Sequence, residues 1–295
     1  MKWEGQRQSE NVEDRRDQGP AGGGGGFRLG GRGVGIGTIA VALLAGWIFG
    51  INPLTVLGLL SGGGGSMPQV TQQAPAHAPP AGDKEAAFVS TVLADTEDVW
   101  AKVLAQSGSR YQAPRLVLFR GSTPTACGGG DTAMGPFYCP GDRKVYIDLA
   151  FFDTLRARLG APGDFAQAYV VAHEVGHHVQ QMMGITAKVD AMRGRISEVQ
   201  SNALSVRVEL QADCFAGVWA HHSQKGKGWL EQGDLEEALN AASKIGDDAM
   251  QRRSQGMVMP ESFTHGSSEQ RIRWFKTGLQ GGDMATCNTF DTRAL

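Results

Sequence analysis

VVAHEVGHHVQ, residues 170–180, is the stretch on which the reading of this chain turns. It contains His173-Glu174-Val175-Gly176-His177, an H-E-x-x-H pattern. On a helix, residues four apart share a face, so this spacing aims both imidazoles at one point, where they can hold a zinc ion. Glu174, one residue beyond the first histidine, reaches a water at the same point and can act as a general base. The spacing predicts a helix from about Asp164, as N-cap, to Met183, with Gly184 as its C-cap. His178 follows His177 directly and points about 100° away around that helix, toward packing or solvent.

A third ligand is expected downstream. Residues 192–222 read as one long helix containing Glu209-Leu-Gln-Ala-Asp213. Glu209 lies 32 residues past His177, and Asp213 sits one turn further on the same face. Packed antiparallel against the first helix, Glu209 would complete a His/His/Glu set with one position left open for water. Asp213 would accept the free N–H of a ligand histidine and fix its tautomer. The neighbours Leu210, Ala212, Phe215, Val218 and Trp219 are apolar, so these carboxylates are expected inside, where they need partners. His221 and His222, at the helix end, are expected to meet solvent, and His77 to be an incidental solvated residue.

The 295 residues suffice for one substantial domain with accessory segments. A formal net charge of -2 offers no footprint for nucleic acid. Many of the 42 glycines cluster in runs at 22–26 and 62–65, which read as linkers. The four cysteines form no C-x-x-C pair. An even count in an exported domain suggests two disulfides, with Cys127–Cys139 and Cys214–Cys287 expected, although three pairings are open.

In chain order, residues 1–33 are polar and glycine-rich and read as a disordered cytoplasmic tail. Residues 34–60 carry no charge and are long enough to cross a bilayer as a helix. Arginines at 15, 16, 28 and 32 precede this run, and no Lys or Arg follows it until Lys84. The positive-inside rule then predicts a single-pass protein of the bacterial inner membrane, N-terminus cytoplasmic and the rest periplasmic or extracellular. Residues 61–83 read as a flexible tether and 84–295 as the folded domain. Within it, residues 85–106, 151–159 and 234–253 have helical spacing, and 116–119 and 144–148 read as strands. The second strand is a candidate edge for an extended peptide. Ser267 and Gln270 form a capping box that opens a last helix. His265 sits just before it, in a loop that can present it to a site.

HEVGHHVQ followed by ELQADCFAGVWA, behind one N-terminal apolar run, resembles the bacterial neutral zinc metallopeptidase family from about residue 84 onward. The pair H-E-x-x-H and E-x-x-x-D is also the gluzincin signature shared with thermolysin-like enzymes. The resemblance implies an α+β, mainly helical zincin-like metallopeptidase domain with a small β-sheet. By position it implies Zn2+ on His173, His177 and Glu209, with Glu174 as general base and Asp213 behind a ligand histidine. The His265-x5-Arg271 segment is similar to one in membrane-anchored gluzincins related to the prenyl-protein and heat-shock endopeptidases. There a His and an Arg approach the metal. By that analogy His265 stabilises an oxyanion and Arg271 pairs with a site carboxylate. Gly266 departs from the proline usual at its position.

The sequence therefore predicts a membrane-anchored zinc metallopeptidase acting on a peptide or protein. The competing reading is a zinc-stabilised domain that binds peptides or proteins at the cell envelope without catalysis. A purely structural zinc would fill all four positions with protein ligands, and the motifs offer three.

Overall fold

A computed structural model describes residues 1–18, 77–131 and 135–291. The chain divides into two units, Met1–Ala21 with Ala76–Leu295, and Gly22–Pro75. The first unit holds the strands and helices of the described residues. The expected membrane helix at 34–60 lies outside the described residues, among which no helix is long and apolar enough to cross a membrane.

The sheet has four strands in the order β1 (Val12–Asp14), β2 (Arg115–Phe119), β6 (Lys144–Asp148), β5 (Phe137–Cys139). The first two pairings are parallel and the last antiparallel. β3 (Ser122–Thr125) and β4 (Gly128–Asp131) form a separate antiparallel pair. The 144–148 strand expected at the sheet edge is interior, paired with β2 along its length on one side and with β5 over Lys144–Tyr146 on the other.

Residues 1–18 correct the expectation of a disordered tail over 1–33. Val12, Glu13 and Asp14 pair with Leu116, Val117 and Leu118. Arg7 binds Glu97 and Asp98, and Lys144 reaches the buried Glu13 at 2.9 Å. The Met1 ammonium sits 2.9 Å from Asp164 and 3.3 Å from Asp234. The polar composition that suggested disorder is explained by these charges, each of which has a partner across the fold.

The helices are α1 (Lys84–Gln106), α2 (Leu149–Ala157), α3 (Asp164–Met182), α4 (Ile185–Arg193), α5 (Glu198–Lys227), α6 (Asp234–Lys244), α7 (Asp247–Gln255) and α8 (Ser268–Gly281). Gly163, not Asp164, is the N-cap of α3, and Asp164 in its first turn takes the Met1 ammonium. The helix expected over 192–222 is broken before α5, where Ser197 and Gln200 form a capping box that overrides the surrounding helical periodicity. The helix expected over 234–253 divides at Gly246, where a Cβ would lie 2.4 Å from the Ser268 nitrogen. Trp100, Trp219, Phe165, Phe215 and Phe275 fill the core between helices and sheet.

Two crossings bring helices together backbone to backbone. A Cβ on Gly217 of α5 would stand 2.1 Å from the Phe275 carbonyl of α8, and one on Gly278 would stand 1.9 Å from that of Cys214. Gly176 lets α3 meet α5, with Ala212 O only 3.0 Å from its would-be Cβ. The disulfides join Cys127 to Cys139 and Cys214 to Cys287, the second tying α5 to the segment after α8.

Candidate metal centre

His173, Glu174 and His177 lie on α3, with Glu209 facing them from α5. The ligand-type atoms of His173, His177 and Glu209 all lie within 4.8 Å of one another. His173 Nε2 is 3.1 Å from one Glu209 oxygen and His177 Nε2 is 3.4 Å from the other. Zinc ligands about 2.0–2.1 Å from a tetrahedral ion stand roughly 3.3 Å apart, so the donor set fits the ion. The two rings are perpendicular, with centroids 4.8 Å apart.

Each ligand histidine is held by its other nitrogen. His173 Nδ1–H donates to Asp213 at 2.8 Å, which leaves Nε2 as the donor atom for a metal. Asp213 is fully buried. Arg271 grips it from Nε and Nη2, both at 2.9 Å, and the Tyr169 hydroxyl also donates to it. His177 Nδ1–H donates to Gln180 at 2.9 Å. Gln180 in turn donates to Gln211, whose amide donates to the Cys287 carbonyl, so this ligand is anchored to the segment closed by the second disulfide.

Burial works against charge on His173, yet Asp213 and Glu209 outweigh it and push its pKa up to about 10. His177 is raised for a similar reason, with Glu209 overcoming burial. Burial pushes Glu174 up, disfavouring its carboxylate. Burial acts the same way on Glu209, but the two histidines hold it well below the usual carboxylate range. Without a metal, protons on the histidines thus balance the site's carboxylates.

His265 lies outside the ligand set, in the loop before α8. Its Nδ1 is 3.2 Å from Asp247, and the same carboxylate takes the backbone N–H groups of Thr264, His265 and Gly266. Gly266 has φ +89°, which proline's fixed φ near -65° excludes. Hydrogen bonding to Asp247 raises the His265 pKa despite burial, with a smaller contribution from the Glu209 charge.

Sequence patterns alone did not reveal Asp247, Tyr169 and Gln180. Gln180 lies inside the quoted stretch, three residues past His177, and could have been found by helical spacing. The partners of Asp247 come from a loop 17–19 residues away, so no local pattern marks it. His178 is a packing residue: Tyr138 donates to Nδ1, and Nε2–H donates to the Gln112 carbonyl. His221 and His222 are partly buried and bond the Leu279 and Gly282 carbonyls, instead of meeting solvent. His77 is exposed but forms a bridge to Asp14. A second acidic group, Asp164, Asp234 and Glu237, lies by the Met1 ammonium, which is a resident cation.

Two helices presenting H-E-x-x-H and a facing glutamate, with a buried Asp–Arg pair behind, make a site that could hold a metal ion. The chain belongs to the family described as "Putative neutral zinc metallopeptidase", which matches residues 1–290. The match begins at residue 1 and so includes the N-terminal segment, well before the residue 84 suggested by the motifs. The protein named YpfJ from Escherichia coli (strain K12) is 52% identical over 292 residues, covering 98% of this chain and 99% of that protein. Rv2575 from Mycobacterium tuberculosis (strain H37Rv) is 43% identical over 195 residues, 63% of this chain and 65% of the relative. No solved structure matches.

Proposed function

We propose that this protein is a zinc-dependent peptidase that hydrolyses peptide bonds in a peptide or protein substrate. One observation carries the reading: His173 Nε2, His177 Nε2 and the Glu209 carboxylate converge, with Glu174 adjoining on the same helix. Zinc bound there would acidify a water and polarise the scissile carbonyl. Glu174 takes the proton of the attacking water and returns it to the departing amine. Its burial raises its pKa, which strengthens it as a base once it is ionised. Asp213 keeps His173 in the tautomer that frees Nε2, and Arg271 keeps Asp213 ionised. His265, held by Asp247, donates a hydrogen bond to the developing oxyanion.

The position of β6 between β2 and β5 takes from the non-catalytic binding reading the particular strand that suggested it. Two disulfides favour an oxidising compartment outside the cytoplasm for the domain. The test is zinc content and hydrolysis of an unfolded protein substrate by the purified chain, beside its Glu174→Gln and Glu209→Ala variants. The wild type should bind about one zinc per chain and cleave. Glu174→Gln should keep the metal and lose cleavage by roughly 10²–10⁴-fold. Glu209→Ala should lose both. Wild-type turnover in Glu174→Gln would remove the mechanism.

A further inference from the structure

The expected topology threads residues 34–60 once through a bilayer, leaving the N-terminus on one side and the domain on the other. The fold of residues 1–18 opposes this. β1 is hydrogen-bonded along β2, inside the sheet of the domain that holds the metal site. At its end the Asp14 N–H donates to the His77 carbonyl at 2.8 Å, and the Arg15 N–H donates to Leu118. Residues 14 and 77, on either side of the 34–60 run, therefore meet. A strand paired over this register cannot lie across about 30 Å of hydrocarbon from its partner.

The charges that suggested a cytoplasmic N-terminus also have another use. Arg15 is buried and paired with Glu13 at 2.7 Å. Arg16 bridges Asp14 at 2.5 Å and Asp83 at 2.6 Å, joining residues on either side of the apolar run. Both are fold residues, so two of the four arginines behind the positive-inside argument report on packing. Length points the same way. Two complete helical crossings need roughly 40 apolar residues, and positions 34–60 number 27.

We propose that the 34–60 run attaches the protein to a lipid bilayer with no net crossing. Residues 1–18 and 77–291 then share one compartment. This inference is independent of catalysis.

The test uses the full chain in bacterial cells. Gln8 and Lys225 are exposed, and no free cysteine occurs among the described residues. Gln8→Cys and Lys225→Cys, made separately, report the two flanks to a membrane-impermeant maleimide before and after permeabilisation. Equal behaviour of the two, both labelled or both protected, with the protein in the membrane fraction, supports the proposal. Labelling of one without the other in intact cells overturns it. Recovery of the chain wholly in the soluble fraction overturns it as well. A Leu116→Pro variant, which removes the β2 amide that donates to the Asn11 carbonyl, checks the link to the fold. It should lower the thermal midpoint, and it is read only beside the two cysteine variants in the unaltered chain.

Discussion

Arg271 and Asp213 form a two-pronged buried ion pair directly behind His173. Arg271 Nε meets one carboxylate oxygen and Nη2 the other, each at 2.9 Å, and His173 Nδ1 lies 2.8 Å from the second. The arginine neutralises the aspartate, which in turn orients the imidazole.

Removing the arginine should be costly. Arg271→Met removes one of the two cations that face buried Asp213, leaving His173 alone to offset its charge, with an expected loss of up to about 3–5 kcal/mol in denaturant unfolding. Asp213→Asn keeps the shape but removes the negative acceptor, and should weaken zinc binding roughly 10–100-fold in a chelator competition. Unchanged zinc affinity in Asp213→Asn would separate this pair from the metal centre.

Zinc should displace protons. The metal-free His173 has its pKa raised to about 10, so near neutral pH it carries a proton that must leave before Nε2 can bind a metal. Affinity should rise with pH, by about tenfold per pH unit for each proton released. Calorimetry in buffers of different ionisation enthalpy counts the protons. No release at neutral pH would contradict the charge balance described for the site.

The Asp247–His265 pair sets a pH window. The His265 pKa is raised, so the pair's contribution is full below the unfolded histidine value of about 6.5 and is lost as pH rises through the folded value. Burial opposes ionisation of Asp247, but His265 and backbone N–H groups lower its pKa, so the contribution also fades in acid as pH falls through that depressed value. Asp247→Asn should lower the His265 midpoint followed by NMR and slow hydrolysis. The histidine is half exposed, so the stability effect is small. An unmoved midpoint would show that Asp247 does not position His265.

Gly176 sets the distance between α3 and α5 where His173, His177 and Glu209 meet. Gly176→Val would press on the Ala212 backbone, costing about 1–3 kcal/mol and drawing Glu209 away from the histidines. Zinc affinity should fall with stability. Gly226→Ala, whose added carbon meets nothing within 4 Å, is the control: it should leave zinc affinity unchanged and, lying in the last turn of α5, raise stability by up to about 1 kcal/mol. Equal zinc affinity in Gly176→Val and the control would dismiss the close approach as a determinant.

Much of the centre is local chemistry and so was legible in the chain. His173, Glu174 and His177 are fixed relative to one another by one helix, whatever that helix packs against. Ser267 and Gln270 announced the start of α8, and the same Ser197/Gln200 signal marked the start of α5 where helical periodicity ran past it. The N-terminal segment hid its order for the opposite reason. Glu13, Asp14, Arg15 and Arg16 look solvated when their partners at 144 and 83 are distant in sequence.

Residue identity and helical geometry alone were enough to set the ligand types, the spacing of the α3 triplet and the cysteine complement. Packing settled which oxygen faces which nitrogen and that Arg271 backs Asp213. It also settled that Asp247 holds His265 and that the first eighteen residues complete the sheet. Each of those is a contact between segments far apart in the chain, set by how glycine-lined helices cross and by where a buried charge finds its counter-charge.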